Sequence, residues 1–362
     1  MKDIALVVPT NRVRCINDFI SRWDNIGLFD VVDLIVVEDN PTHTFTLDDK
    51  FEHRHLSWST IKEELQEKEW IIPRRSDTVR SYGYYWAYKC GYQFIMTLDD
   101  DCYPCKKEDG IEYDGAAFVN EHLKNLNNKT KWFNTLNSVK PRGIPYFNLG
   151  INDRIVLNHG LWTNVLDYDA PFQLANPAKE NFSFDNTVVP SNVYFPMCGM
   201  NVMWKREVTP LMYHLLMGKR VNTSDGDIGQ TDKDGLNKLQ FDRFGDIWCG
   251  IIMKKIVDHM GRNVSTGMPY IHHERASNPF ANIKKEANGL EVNEGFWQHI
   301  DAYEFSLICD RHDVAESSYA KCYVEMGEHV KTYKEFPEYN EYFEMLGNAM
   351  VEWGHLFFEE IV

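Results

Sequence analysis

The stretch IALVVPTNRVRCINDFISRWDNIGLFDVVDLIVVEDN, residues 4–40, decides the fold that the sequence predicts. Two runs rich in β-branched residues, 4–10 and 32–40, end in polar residues and flank a segment with helical spacing. A strand, a helix and a strand at this spacing form a βαβ unit, whose two strands lie parallel in one sheet. The sequence therefore predicts an α/β protein built on an open sheet.

A second helix and strand extend this unit. Residues 78–93, TVRSYGYYWAYKCGYQ, predict a helix with an aromatic face that leads into the strand FIMTL at 94–98. Open α/β sheets bind ligands beyond the carboxyl ends of their strands. Three polar stretches fall at that edge: Pro9-Thr10, Glu38-Asp39-Asn40 and Asp99-Asp100-Asp101. We therefore expect the functional site there.

The middle of the chain differs in composition. Residues 130–205 are rich in Pro, Gly, Asn and aromatics between short apolar runs, which predicts further strands and long loops of the same domain. Residues 221–240 are polar, acidic and rich in glycine, which is typical of a surface insertion. A helix is expected over 246–261, where Gly261 provides the stop.

From about residue 295 onward the sequence is aromatic and has helical spacing. We therefore divide the chain into a sheet domain over 1–290 and a C-terminal helical extension over 291–362. The extension is expected to pack on the sheet domain or on another subunit, so a homo-oligomer is one interpretation of its aromatic helices.

The bulk composition excludes several classes of partner. The 362 residues are 43% hydrophobic, enough for a large core, and carry a net charge of −16. An acidic molecule repels nucleic acid and anionic membranes, so a polyanionic ligand needs a local basic patch or a bound cation. No apolar run approaches the ~20 residues of a membrane span.

The cysteines and the N-terminal residues indicate a compartment. The eight cysteines are scattered, and Cys102 and Cys105 have no second pair at the spacing of a zinc ribbon. Reduced thiols in a cytosolic protein explain this usage. Only about five apolar residues precede Pro9, too few for the core of a signal peptide. We therefore expect a cytoplasmic protein.

The three consecutive aspartates predict a metal site. If the strand stays extended through them, Asp99 and Asp101 project together and Asp100 projects away. Two carboxylates on one face suit a hard cation such as Mn²⁺ or Mg²⁺, with waters and a diphosphate in the remaining positions. The alternative is a solvated acidic turn in which an aspartate caps a helix.

Residues further along the chain could complete this site. His273 could supply an imidazole to the same cation, although a satisfied core position is the commoner role of a single histidine. Asp246 heads the predicted helix beside Arg243. It could act as the N-cap, as a general base or as a ligand to sugar hydroxyls.

Phosphate recognition must use a solution other than the common glycine-rich loops. Neither G-x-G-x-x-G nor G-x-x-x-x-G-K-[ST] is present, and the G-x-S-x-G elbow is also missing. Lys284 and Lys285, with Arg275, form a basic cluster that could neutralise a diphosphate. A solvated charged face is the alternative reading of the same cluster.

Five sequence blocks resemble the reversibly glycosylated polypeptide family, the plant-type UDP-arabinopyranose mutases (glycosyltransferase family 75). In the family's order they are TLDDDCY at 97–103, NHGLWTNVLDYDAP at 158–171, FPMCGMN at 195–201, FGDIWCG at 244–250 and GMPYIHHERASNPFANIKKE at 267–286. LVVPT and VVEDN near the N-terminus fit as well. The resemblance spans about residues 4–286, and the tail after about 290 has no obvious counterpart.

The resemblance implies a glycosyltransferase A-type fold, a Rossmann-like mixed sheet flanked by helices, that binds a UDP-sugar through Mn²⁺ or Mg²⁺. It also implies a mutase that interconverts the pyranose and furanose rings of UDP-arabinose. The family is reversibly glycosylated on an arginine in a stretch like R-G-x-P-[FY], which PRGIPYF matches at Arg142. A second arginine of the family pattern is replaced by Leu149-Gly150, with Arg154 further along. This departure bears on mutase activity more than on UDP-sugar binding.

The residues and the resemblance together predict one UDP-sugar site. Asp99, Asp101 and His273 are expected to hold the cation, and Arg142, Asp169 and Asp246 are the expected catalytic residues. The expected substrate contacts are Pro9, Thr10, Asp39, Arg80, Asp100, His159, Trp162, Asp167, Arg243, Lys284 and Lys285. Asp39 would accept a hydrogen bond from uracil, and Arg80 would reach the nucleoside or the diphosphate. Trp162 would stack on the sugar, with an ordinary core role as the alternative.

The expected reaction is an isomerisation within one pocket. The cation and basic residues stabilise UDP as the leaving group, the sugar ring reopens and recloses through another hydroxyl, and the diphosphate recaptures the anomeric carbon. Arg142 is expected to guide the sugar electrostatically, since a protonated guanidinium is a poor nucleophile, with covalent trapping as the alternative. Two rival functions stay open: a UDP-sugar-dependent (self-)glycosyltransferase and a non-catalytic UDP-sugar-binding subunit.

Overall fold

The computed structural model describes residues 2–107, 110–127, 142–148, 154–175, 186–221, 231–233, 235–274, 278–306 and 316–358. These residues form a central mixed sheet with α-helices on both of its faces. The prediction of an α/β fold of the glycosyltransferase A type with C-terminal helices is therefore confirmed.

The predicted βαβ unit forms the start of the main sheet. In chain order the strands are β1 (Ile4–Thr10), β2 (Asp33–Glu38), β3 (His53–Leu56), β4 (Phe94–Leu98), β5 (Cys102–Tyr103), β6 (Ile155–Asn164), β7 (Thr187–Val188), β8 (Asn201–Lys205), β9 (Lys219–Val221), β10 (Leu236–Lys238) and β11 (Asn263–His273). The main sheet has the order β3-β2-β1-β4-β8-β6-β11-β5, and β7 pairs with β11. A separate two-stranded sheet joins β9 and β10.

The helices cover both faces of this sheet. They are α1 (Val13–Asp24), α2 (Trp58–Leu65), α3 (Arg80–Lys89), α4 (Gly115–Leu126), α5 (Ala170–Ala175), α6 (Gly245–His259), α7 (Pro279–Asp301), α8 (Glu316–Val330) and α9 (Asn340–His355). The expected helices over 78–93 and 246–261 correspond to α3 and α6, within a few residues at each end.

The strand β1 shows why the first third of the sequence forms a parallel sheet. It pairs in parallel with β2 on one side and with β4 on the other. Its residues Leu6 and Val8 pack in the hydrophobic cluster beneath α1 and α4, while Ala5 and Val7 pack in the cluster beneath α3. A strand buried on both faces needs a continuous apolar run, which is the pattern that predicted it. β8 joins β4 antiparallel, so the sheet is mixed.

Close contact between α3 and the sheet depends on a glycine. A Cβ on Gly83 would lie 2.6 Å from side-chain carbons of both Val7 and Val37. Because these valines belong to β1 and β2, Gly83 lets α3 lie directly on the parallel strands. This contact fixes the N-terminus of α3, and therefore Arg80, at the carboxyl edge of the sheet.

The C-terminal helices pack on the same chain. Trp353 of α9 stacks on Tyr213 with 5.1 Å between ring centroids and donates through Nε1 to the carbonyl of Pro210 at 2.9 Å. Tyr342 donates through its hydroxyl to the carbonyl of Leu216 at 2.8 Å. Packing on the sheet domain, one of the two expected arrangements, is therefore present. α7 runs through residue 290, and the division of the chain into two domains stays a prediction.

The predicted surface insertion is described only in part. Residues 222–230 and 234 lie outside the described ranges, as does Arg275 of the basic cluster. The described end of the insertion forms β10, which pairs antiparallel with β9. Leu236 and Asn237 of this strand are buried, whereas Gly235 and Lys238 are exposed, so this end of the segment packs on the protein with one side.

The thiol state of the cysteines and the length and polarity of the helices can be compared with the expectations from the sequence. Seven of the eight cysteines fall in described ranges and all seven are free thiols. Within the part of the chain that the structure covers, every helix is too short or too polar to cross a lipid bilayer.

Candidate active site

Polar residues at the carboxyl ends of β1, β2 and β4 meet at one edge of the sheet, as the sequence predicts. The backbone N–H of Asp39 donates to the carbonyl of Thr10 at 2.7 Å. The Thr10 hydroxyl donates to Oδ2 of Asp100 at 2.5 Å, and both side chains are buried. Pro9 lies one residue earlier and pairs with Val37. The three polar stretches therefore form one continuous floor.

The three aspartates form a turn. β4 ends at Leu98, and the N–H of Cys102 donates to the carbonyl of Asp99 at 3.0 Å. The strand does not stay extended through the aspartates, which was the condition for Asp99 and Asp101 to project together, and its ladder with β8 ends at Leu98. The turn nevertheless separates the side chains. Asp100 is only 3% exposed, whereas Asp99 and Asp101 are 28% and 14% exposed and face the open side of the edge.

Each of the three aspartates is paired with an arginine. Arg80 Nη2 lies 2.5 Å from Oδ1 of Asp99. Arg12 donates from Nη2 to Asp101 at 3.0 Å and from Nε to Asp100 at 3.2 Å. Arg12 was not predicted from the sequence, although its place just beyond the carboxyl end of β1 could have indicated it. The two guanidinium groups, which stay charged, offset the repulsion between neighbouring carboxylates.

Asp101 and His273 approach each other where β5 pairs with β11. His273 Nε2 lies 3.9 Å from Oδ1 of Asp101. The other ring nitrogen, Nδ1, donates to the carbonyl of Val165 at 2.8 Å, which leaves the Nε2 lone pair on the side of the carboxylate. A carboxylate and an imidazole held in this way fit two ligands of a divalent cation. Across the described residues, no three His, Cys, Asp or Glu side chains are arranged to hold a metal ion.

The peptide group of Gly199 connects the aspartate turn to the start of α6. The buried side chain of Arg80 donates from Nη1 to the carbonyl of Gly199 at 2.7 Å. The N–H of Gly199 donates to Oδ2 of Asp246 at 3.0 Å. A Cβ at this position would lie 2.7 Å from Cε1 of His214, so a larger residue would displace its neighbours. Arg80 thus positions both Asp99 and the loop that holds Asp246.

Asp246 is the second residue of α6, and Phe244 occupies the N-cap position. Of the three roles that the sequence left open, the N-cap is therefore wrong. Burial, together with the negative charges of Asp77 and Asp167, raises the pKa of Asp246 to about 8. A carboxyl group that titrates near neutral pH can both donate and accept a proton during a reaction.

Arg243 is held in place just before α6. Its φ angle is +66°, a left-handed conformation that is uncommon for residues other than glycine. Its Nε donates to Oε1 of Glu286 on α7 at 2.7 Å, and Oε2 of Glu286 accepts the N–H of Ala170 at 2.8 Å. The guanidinium interacts electrostatically with both Asp167 and Asp246. Arg243 therefore contributes positive charge to the same side of the site.

Asp39 lies in a small aromatic and basic cluster. Its Oδ1 accepts a hydrogen bond from Nε1 of Trp58 at 2.7 Å, and burial raises the pKa of its carboxyl group. Arg75 donates to the backbone carbonyl of Asp39 at 3.0 Å and lies 4.8 Å from the centroid of the Trp58 ring. Neither Trp58 nor Arg75 was predicted as a site residue. Both follow β3 along the chain, in a stretch without a recognisable sequence motif.

His159 and Trp162 lie on β6, further along the same edge. The ring of His159 is buried, its Nδ1 lies 3.0 Å from the hydroxyl of Thr266, and burial lowers its pKa to about 4. Trp162 packs edge-on against this ring at 5.6 Å and is partly exposed. His159 is therefore a neutral supporting ring, and the Nε1–H of Trp162 is a buried donor without a partner among the described residues.

The two aspartates after β6 have different surroundings. Asp169 accepts the N–H of Phe172 at 2.8 Å and so caps the start of α5. Asp167 is exposed, and its charge acts on Asp246 and Arg243. Asp167 therefore borders the site, whereas the recorded contact of Asp169 is structural.

The structure does not bring every predicted residue to this edge. Lys284 and Lys285 are exposed on α7, and Lys285 Nζ lies 3.2 Å from Oδ2 of Asp242. Arg142 is exposed in a turn within the described stretch 142–148. Residues on either side of that stretch lie outside the described ranges, so its place relative to the site stays a prediction.

Comparison with known proteins identifies the family to which the sequence is similar. The family model for reversibly glycosylated polypeptides matches residues 1–360. "Probable UDP-arabinopyranose mutase 1" of Pisum sativum is 34% identical over 97% of this chain and 89% of its own length. "UDP-arabinopyranose mutase 1" of Oryza sativa subsp. japonica is 33% identical over 97% and 89%, and its Arabidopsis thaliana namesake is 32% identical over 97% and 91%. The expectation that the tail lacks a counterpart is wrong, because the match continues through it.

Proposed function

This chain belongs to the reversibly glycosylated polypeptide family, and we propose that it interconverts the pyranose and furanose rings of UDP-L-arabinose. The match over 97% of the chain to relatives named UDP-arabinopyranose mutases carries this proposal. The edge geometry supports it, because an acidic turn, two buried or half-buried arginines and a carboxyl of near-neutral pKa meet there.

We assign a divalent cation, Mn²⁺ or Mg²⁺, to Asp101 and His273, which approach each other. Asp99 is added as a third ligand from the sequence alone, because the structure does not group these three side chains as a metal cluster. When bound, the cation would neutralise the diphosphate and stabilise UDP as a leaving group. Arg12 and Arg80 hold the carboxylates in fixed positions, since Arg12 forms an ion pair with Asp101 and Arg80 forms one with Asp99. The donor set of carboxylate and imidazole supports this assignment.

The uridine would lie beside Asp39. The buried carboxylate can accept the N–H of uracil, while Trp58 fixes its orientation and Arg75 adds positive charge near the ribose or diphosphate. Pro9 and Thr10 form the adjacent backbone floor. Lys284 and Lys285 are assigned to the diphosphate only from the basic cluster in the sequence, since both are exposed on α7.

Asp246 would exchange the protons that ring conversion requires. As the bond from the anomeric carbon to the ring oxygen breaks, that oxygen must gain a proton. As another hydroxyl forms the new ring bond to the same carbon, that hydroxyl must lose one. A neutral carboxyl group can donate from its O–H and accept on its second oxygen, so the group is unchanged after the exchange.

The remaining residues would hold the sugar. Trp162 offers an aromatic face and an unpartnered N–H at the edge, and Asp167 offers an exposed carboxylate for hydroxyls. Arg142 would guide the departing sugar through its charge, and Asp169 would act by fixing the start of α5.

The deciding experiment incubates purified protein with UDP-arabinofuranose and Mn²⁺ and resolves the products by chromatography. Ring-isomerised UDP-sugar is the expected result. Free UDP with sugar attached to the protein would instead indicate a glycosyltransferase, and unchanged substrate would indicate a binding subunit. Asp49→Asn, which changes an exposed carboxylate on the loop before β3, is the matched control for carboxylate substitutions at the edge.

A further inference from the structure

Asp77 and His214, which no motif selects, lie directly behind the proposed reaction centre. His214 is buried and is fixed through its backbone. Its carbonyl accepts the hydroxyl of Thr78 at 2.9 Å, and its N–H donates to the hydroxyl of Ser81 at 3.0 Å. The histidine is therefore anchored to the first turn of α3, the helix that Arg80 begins.

The His214 ring holds one oxygen of Asp77. Nδ1 lies 2.9 Å from Oδ2 of Asp77, and burial lowers the pKa of the ring, so a neutral imidazole donates through Nδ1–H. Burial opposes ionisation of Asp77, but the hydrogen bond from His214 and the charges of Arg80 and Arg243 bring its pKa below the usual value. Asp77 is thus a fixed, ionised carboxylate.

The second oxygen of Asp77 faces the start of α6. A Cβ on Gly245 would lie 3.6 Å from Oδ1 of Asp77 and 2.3 Å from the carbonyl oxygen of His214. Gly245 immediately precedes Asp246. Gly199, whose N–H donates to Asp246, packs against the ring of the same histidine, His214. His214 therefore lies at the junction of Asp77 and of both backbone segments that position Asp246.

We propose that Asp77, held by His214, is a positioning residue whose negative charge keeps Asp246 as the neutral carboxylic acid used in turnover. The inference rests on the proposed function, because it assigns Asp246 a proton to deliver. It extends that function by naming the two residues that hold the carboxyl group in its working protonation state.

The charges around Asp246 show why Asp77 would decide whether the Asp246 carboxyl group is protonated. Asp77 and Asp167 oppose ionisation of Asp246, while Arg80 and Arg243 favour it. The two thiols that also interact with Asp246 stay neutral, since burial raises the pKa of both; they are Cys198 and Cys249. Asp167 is exposed and screened by solvent, so Asp77 is the stronger of the two negative neighbours.

The test compares pH profiles of kcat for the wild type, Asp77→Asn and the control Asp49→Asn, with Mg²⁺ as the cation. Asn keeps an oxygen that accepts from His214 but removes the charge. The alkaline loss of activity should move about one pH unit lower in Asp77→Asn, as expected for removal of a nearby like charge. KM should change little, because Asp77 does not contact the substrate. An unchanged profile would overturn the inference.

A second pair of variants covers the case in which Asp77→Asn does not fold. His214→Asn keeps an N–H donor near the position of Nδ1 and should retain the wild-type profile. His214→Leu removes the donor and should lower the alkaline limb in the same direction as Asp77→Asn. If His214→Leu matches His214→Asn in its pH profile, the histidine does not act through Asp77.

A spectroscopic readout separates this inference from the proposed function. Infrared titration follows the protonated carboxyl band of Asp246, identified by subtracting the spectrum of Asp246→Asn, and needs no turnover. If the wild type fails to isomerise UDP-arabinose but the band titrates lower in Asp77→Asn, the proposed function is wrong and the Asp77 interaction stands. If turnover occurs and the band does not move, only the inference fails.

Discussion

The aspartate turn at 99–101 and the aromatic layer of α8 and α9 are held together in opposite ways. The three charged side chains of the turn are paired with two arginines at the open edge of the sheet, Asp99 with Arg80 and the other two with Arg12. The aromatic layer buries Trp353 completely against rings of the sheet domain.

The difference teaches where stability and activity arise in this chain. Ion pairs that reach solvent contribute little to the free energy of unfolding, but they fix where charge lies. Buried aromatic rings contribute strongly to that free energy and carry no chemistry. Substitutions in the two regions should therefore affect different measurements.

The largest expected effect is on stability, in the aromatic layer. Trp353→Ala removes a fully buried indole and its hydrogen bond to Pro210, so the free energy of unfolding should fall by about 3–5 kcal/mol. Chemical denaturation measures this loss. Calorimetry on the folded fraction of the variant should give an unchanged affinity for UDP. If the binding free energy falls by as much as the free energy of unfolding, the aromatic layer and the aspartate turn do not have separate roles.

The next effect is on activity, at the turn. Asp99→Asn combined with Asp101→Asn removes two carboxylates from the proposed cation site, and turnover should fall by about 100-fold or more. The thermal midpoint should stay near that of the wild type, because both side chains are partly exposed. EDTA should reproduce the loss of turnover in the wild type and have no further effect on the double variant. Retained turnover would remove the metal assignment.

A smaller effect should appear where the turn meets the core. Gly199→Ala forces a methyl group to within 2.7 Å of the His214 ring and 3.2 Å of Arg80 Nη1. Overpacking of this kind costs about 1–3 kcal/mol. Both stability and turnover should decline, since the Gly199 peptide holds Asp246. A variant that loses stability but keeps full turnover would show that this peptide does not position the carboxyl group.

The smallest effect is expected at the opposite end of α3. Arg80 begins this helix, and Lys89 ends it in an ion pair with Glu64 in which the lysine is exposed and the glutamate is half-buried. Lys89→Ala should change the free energy of unfolding by less than about 1 kcal/mol and leave turnover unaltered. Lys89→Ala is therefore a control on the same helix as Arg80. A marked loss of activity in this variant would contradict the proposal that the functional residues lie at the sheet edge.

Much of the fold follows from local patterns. β1 and β4 begin and end where the apolar runs indicate, and the parallel pairing of β1 with β2 follows from their spacing. For the three aspartates the sequence left an extended strand and an acidic turn open, because nothing in the local sequence shows where a neighbouring strand stops pairing. The ladder with β8, whose residues lie about a hundred positions further along the chain, sets that limit.

The candidate site was predictable only as a set of separate residues. Asp99, Asp246 and His273 were selected from motifs, but their partners Arg12, Asp77 and His214 were not. Arg12 lies 88 residues from Asp100, and Asp77 lies 137 residues from His214. Pairs at such distances leave no periodic trace, since each partner alone resembles an ordinary polar residue.

The sequence by itself determined the α/β architecture, the carboxyl edge as the place of the site, and the family to which the chain belongs. Apolar periodicity and contiguous motifs are local properties, so they can be read without coordinates. Only the tertiary structure decided which arginine holds which aspartate, and that a carboxylate held by His214 lies near Asp246. Electrostatic effects depend on distance in space and on burial, and the fold alone sets both.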